Sequence, residues 1–136
     1  MKRGTLLLGC LMLAASLSAV AQSASKESWI GIWQGERDGQ PSVTLTLADD
    51  NGELGGSVIL NVFGNDNGEA RVVASEPHVL VHPRLDGNTF SFQARRIDHS
   101  AELMNFAVVL SQSGKAQIHC VNCGPDAPFV ELLKAR

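Results

Sequence analysis

The sequence predicts an all-β protein: an antiparallel up-and-down β-barrel of about eight to nine strands, preceded by a signal peptide. Three observations carry this expectation. Apolar residues come in short alternating runs, as where Val43, Leu45 and Leu47 flank Thr44 and Thr46, a period of two that suits a half-buried strand. Hairpin-turn signals recur between these runs at intervals of about eight to fourteen residues. No stretch beyond residue 21 sustains a helical period over about twelve residues.

The first 21 residues have the three parts of an export signal. Lys2 and Arg3 supply the positive start, Leu6 to Ala15 an apolar run interrupted only by Gly9, and Ala19-Val20-Ala21 the small-x-small cleavage site. Gln22 is then the first residue of the mature chain. The apolar run falls short of the roughly 20 residues that span a bilayer, and Ser16 and Ser18 dilute its end, so no membrane span is expected after cleavage. Reading Leu7-Leu8-Gly9-Cys10 as a lipid-attachment box leaves too short an apolar run before the cysteine. The expected organisation is a signal peptide at 1–21, a flexible mature N-terminus at 22–28 and one β-barrel domain at 29–136, in the periplasm or secreted.

The strands follow in order. A first strand opens near Gly31, and a second covers Val43 to Leu47. Asp50-Asn51-Gly52-Glu53 turns the chain, because Asn-Gly tolerates positive φ at both positions. Leu54 to Phe63 returns, with Gly55-Gly56 marking a bulge or bend. Asp66-Asn67-Gly68-Glu69 repeats the turn before a short strand at Arg71 to Ala74. Val79 to Leu85 contains Pro83, which assigns it to an edge or a bulge. After Asp86-Gly87-Asn88, Thr89 to Ala94 places Phe90, Phe92 and Ala94 on one face. Glu102 to Leu110 and Lys115 to Val121 pair around Ser113-Gly114, and Phe129 to Lys134 ends the chain. Ile97 to Met104 has room for one helical turn. Closing the sheet removes its two edges, which favours a barrel, with a sandwich as the alternative.

Charge and motifs exclude several function classes. The formal net charge is −3, and becomes −5 once Lys2 and Arg3 leave with the signal. Only Arg95-Arg96 is an adjacent basic pair in the mature chain, so a nucleic-acid partner lacks its footprint. Gly-x-Ser-x-Gly and His-Glu-x-x-His are absent, Ser23 to Lys26 matches Ser-x-x-Lys without partner motifs, and Asp98-His99-Ser100 is a polar loop. Neither Asp-Asn-Gly-Glu turn aligns with a calcium loop, and His78 and His82 on one strand stand about 13 Å apart. No enzymatic activity, metal or cofactor is expected.

Cleavage removes Cys10 and leaves Cys120 and Cys123 in an oxidising compartment, where a disulfide is the default. A redox-active Cys-x-x-Cys normally caps a helix, and here Gly124-Pro125 follows. A zinc site needs four ligands, of which His119, Cys120 and Cys123 supply at most three.

The string Gly31-Ile32-Trp33-Gln34-Gly35 resembles the first strand of lipocalin-like, or calycin, barrels and of small secreted bacterial barrel modules. Val43 to Leu47, Gly52-Glu53-Leu54-Gly55-Gly56, Phe90-Ser91-Phe92 and Val130 to Lys134 fit the rest of that layout. The resemblance implies that Trp33 plugs one barrel end beneath a basic residue, Arg136 or Lys134, so that Gly31, Trp33, Gly35 and Arg136 form a structural barrel end. It implies a small apolar ligand, or else an interior filled by the barrel's own side chains. Haem-binding barrels that open similarly have a glycine where this chain has Arg37, and among late histidines only His119 offers a ligand. The expected function is that of an exported binding or accessory module, whose partner is a small apolar ligand or an envelope protein.

Overall fold

The computed structural model describes residues 24–96 and 101–136. The expected signal peptide lies outside the described residues, as do the first four residues of the helical turn considered at 97–104, whose last two residues belong to a strand. One helical turn, α1 (Lys26–Trp29), precedes nine strands: β1 (Gly31–Arg37), β2 (Gln40–Asp50), β3 (Glu53–Asp66), β4 (Glu69–Val79), β5 (Val81–Asp86), β6 (Thr89–Arg95), β7 (Leu103–Leu110), β8 (Ala116–Cys120) and β9 (Phe129–Lys134).

The strands form one strongly curled antiparallel sheet in the order β4-β3-β2-β1-β9-β8-β7-β6-β5. Local hairpins build both halves. Asn51-Gly52 and Asn67-Gly68 turn with φ of 52° and 93°, and 53° and 88°, the mirror-image turn whose twist matches that of paired strands. Asp38-Gly39, at 52° and 74°, makes the β1–β2 turn in the same way.

All-β, antiparallel and nine-stranded, the molecule nevertheless leaves its sheet open. β4 and β5 are its two ends, yet only Leu80 separates them in sequence. One residue is too few for a hairpin, so the chain bends instead of doubling back. The Leu80 N–H donates to the Gly56 carbonyl at 3.1 Å, and no β4–β5 ladder exists among the described residues. Pro83 has the effect its chemistry dictates. β5 is an edge strand, and its register with β6 shifts between Val81 and Arg84, where His82 has φ 48°.

The concave face is filled. Trp29, Trp33, Phe90, Phe92, Leu45, Leu47, Leu132, Val58 and Val108 are its largest fully buried side chains. Aromatic rings run through it from Trp33 to Trp29 (centroids 6.2 Å apart), Phe90 (5.9 Å), Phe92 (5.8 Å) and Phe106 (5.1 Å).

The two halves of the sheet meet at β1 and β9, in the register Trp33↔Lys134, Gln34↔Leu133 and Gly35↔Leu132. Gly35 permits this approach: a Cβ there would stand 2.6 Å from Val130 Cγ1 and 2.7 Å from the Glu131 carbonyl oxygen. Because the second obstacle is backbone, it cannot rotate away. Gly35→Ala is expected to destabilise the fold by about 1–3 kcal/mol, the usual cost of overpacking, as measured by urea unfolding. An unchanged midpoint would mean that β9 shifts freely.

Candidate functional site

Two ends of the curled sheet differ in construction. At the first, α1 closes the bottom. The Ala24 N–H donates to Asn88 Oδ1 at 2.8 Å, and Lys26 Nζ donates to Asp49 Oδ2 at 3.0 Å and the Gly52 carbonyl at 3.1 Å. These ties lay Trp29 into the core, and Trp33 Nε1 donates to the Trp29 carbonyl at 2.8 Å. Among the described residues the buried Trp29 indole N–H meets no partner.

The cation over Trp33 is Lys134. Its Nζ stands 5.6 Å from the ring centroid and donates to the Ser28 carbonyl at 3.1 Å. Register decides this, since Lys134 lies directly opposite Trp33, whereas Arg136 follows the end of β9 and is exposed. Gly31 leaves room for the lysine: with φ 136°, a Cβ there would sit 2.7 Å from Lys134 Cε. This end plugs the fold.

Its anchor depends on pH. The Lys26 ammonium, and then the Gly52 N–H, hold the Asp49 carboxyl below its ordinary value. A carboxyl lowered in the folded state stabilises above its unfolded value, and this contribution is lost as pH falls through the folded one. Acid titration is therefore expected to release Asp49 only below the ordinary carboxylate range, as followed by carbonyl NMR, and Lys26→Met to raise its midpoint. A midpoint that ignores the substitution would remove the anchor from the account.

The opposite end is open. Here Val43, Leu60, Phe106, Ile118, Cys120 and Val130 line an apolar cup of about 180 Å³, with Arg37, Ser42, Asn61, Phe63, His119 and Pro128 around it. For scale, a dry cavity of about 150 Å³ holds one benzene molecule. A β-bulge shapes the cup. Gly35 pairs with Val43 but Glu36 pairs with Pro41, so Ser42 is an extra residue in β2. Bulges re-aim side chains, and Ser42 and Val43 are consequently buried in succession, which regular alternation forbids. Ser42 is the one buried polar side chain among the described residues, 8% exposed.

Arg37 lies past the bulge, opposite Gln40, its guanidinium carbon 5.7 Å from the Phe63 ring centroid and its Nε 3.9 Å from Asp38 Oδ2.

On the far side of the cup Cys120 and Cys123 are joined in a disulfide, with Cα atoms 5.5 Å apart. Between them Asn122 accepts the Asn105 N–H at 2.7 Å and donates to the Leu103 carbonyl at 2.8 Å, tying the loop to the start of β7. His119 stacks on Phe129 with ring centroids 4.0 Å apart. His78 and His82 do not converge. His78, half-buried, pairs in register with the inward-facing Val58, and its buried Nε2 has no partner among the described residues, while the exposed His82 ring bonds Gln93 through Nδ1 at 2.7 Å. Among the described residues no three His, Cys, Asp or Glu side chains are grouped to hold a metal, and no helix is long and apolar enough to cross a membrane.

Sequence reasoning missed Ser42 and Arg37 as cup residues. Pro41 beside the start of the alternating run was the available hint of an irregular pairing. Compared with known proteins, the chain matches no family model, no curated protein and no solved structure. What fold and site define is a curled nine-stranded antiparallel sheet, plugged at one end by Trp33 and hollowed at the other into an apolar cup.

Reducing the disulfide frees the unfolded chain from a four-residue loop, so stability should fall by roughly 2 kcal/mol on the chain-entropy account. Urea unfolding with and without reductant measures it. Identical curves would show that Asn122 and the ladder alone hold the rim.

Proposed function

We propose that the chain is an exported, non-catalytic binding module of lipocalin-like architecture, acting in the periplasm or outside the cell, which seats a small apolar group at its open end. The observation that carries this reading is the apolar cup itself, placed opposite a Trp33 plug in an otherwise filled concave face. Lys134 over Trp33 supports the calycin likeness, since this is the packing that the Gly-x-Trp strand leads one to expect. The cup's size favours a compact group over a long chain, because a deep ligand tunnel has no space among Trp29, Phe90 and Phe92.

A filled-barrel domain that meets an envelope protein is the second reading. Phe129 and Val121, 63% and 61% exposed beside the cup, favour it. Native mass spectrometry of the processed protein from its own host separates the two. The binding reading expects one small non-covalent adduct, lost on mild activation. A bare mass, together with co-purification of a stoichiometric protein partner, would overturn it in favour of the second.

A further inference from the structure

The polar groups at the cup are as informative as its apolar wall. The wall is made of aliphatic and aromatic carbon, and Arg37 is its sole formally charged neighbour among the lining residues. The nearby acids are turned elsewhere or loosely held. Glu36 borders a different groove, with Gln34 and Glu131, and Asp38 approaches Arg37 only to 3.9 Å, with both side chains more than half exposed. Such a surface ion pair contributes little, so Arg37 keeps its capacity for a better acceptor. A planar guanidinium takes a carboxylate through two parallel hydrogen bonds, the strongest arrangement open to it. The chain as a whole is acidic, at −3, so attraction of an anion to this end must come from the local cation.

Ser42 is the second, independent observation. Ser42, 8% exposed, is the buried polar residue at the cup among the described residues, and its hydroxyl can both donate and accept. The β2 bulge spends an extra residue to turn it inward, and the same irregularity carries Arg37 past the end of the regular β1–β2 register. One irregularity thus sets a hydroxyl within the cup and a cation at its rim.

We infer that the cup binds a small amphipathic acid, its compact apolar body against Val43, Phe106, Ile118 and Val130 and its carboxylate toward Arg37, with Ser42 offering the inner polar contact. This rests on the binding reading above and names the ligand class for the same site. The volume, close to that of a benzene-binding cavity, selects acids about the size of an arylacetic acid rather than long fatty acids.

The test uses the processed protein and four probes: phenylacetate, 2-phenylethanol, 2-phenylethylammonium and palmitate, titrated while backbone amide NMR signals are followed. Phenylacetate is expected to shift the amides of Val43, Phe106, Ile118 and Val130 and to bind about tenfold more tightly than the alcohol, with the ammonium weakest, a gap of about 1.4 kcal/mol. Arg37 is exposed, so Arg37→Gln should keep the native spectrum, abolish the preference for the acid and leave the alcohol's affinity unchanged. Ser42→Ala should weaken acid and alcohol together. Equal binding of acid and alcohol, or a preference that survives Arg37→Gln, would overturn the acid inference and leave the cup reading standing. Tighter binding of palmitate would overturn the stated size. If no probe moves the cup amides, both the inference and the reading beneath it fail.

Discussion

The β1–β9 ladder is the interaction on which the molecule depends. Every other ladder among the described residues joins strands that are neighbours in sequence. β1 and β9 come from opposite ends of the described chain, so their pairing closes a loop of about a hundred residues and carries the largest entropic cost. Three register positions meet that cost, helped by the absence of a side chain at Gly35, which lets Val130 and the Glu131 carbonyl approach. Both ends of the curled sheet follow from it. Lys134 comes to rest over Trp33 at one, and Val130 reaches the wall that Val43 starts at the other.

β1 therefore works as a graded element. Its inward positions read Gly31, Trp33, Gly35, small–large–small, and the single large side chain fills one end of the concave face. Beyond Gly35 the period of two is broken by the bulge opposite it, and filling gives way to a cup. Strict alternation plugs one end, and its interruption opens the other.

Polar ties run outward from the disulfide loop beside the cup. Asn122, within the disulfide loop, bonds the first residues of β7, and Asn105 accepts from Gln93, which in turn meets His82. This row crosses from the disulfide loop to the edge strand β5 on the convex side, where apolar cover is thin.

Most strands, the Asn-Gly turns and the cysteine pair were legible in the sequence because each rests on interactions within a few residues, whereas Arg71 to Ala74 is only the middle of β4 and the strand expected from Val79 to Leu85 is broken at Leu80. Alternation at Val43 to Leu47, positive φ at Asn51-Gly52 and the short spacing of Cys120 and Cys123 need no distant partner. Three things were left to the tertiary structure. Register chose Lys134 over Arg136, since only the residue directly opposite Trp33 reaches its ring. A single residue between β4 and β5 kept the sheet open, a matter of where two strands lie and not of what they contain. The bulge that turns Ser42 inward and leaves Arg37 at the rim exists only in the pairing of β1 with β2. Short-range chemistry determined the elements of this protein, and long-range pairing decided its site, because a face or a wall is a relation between segments that no single segment contains.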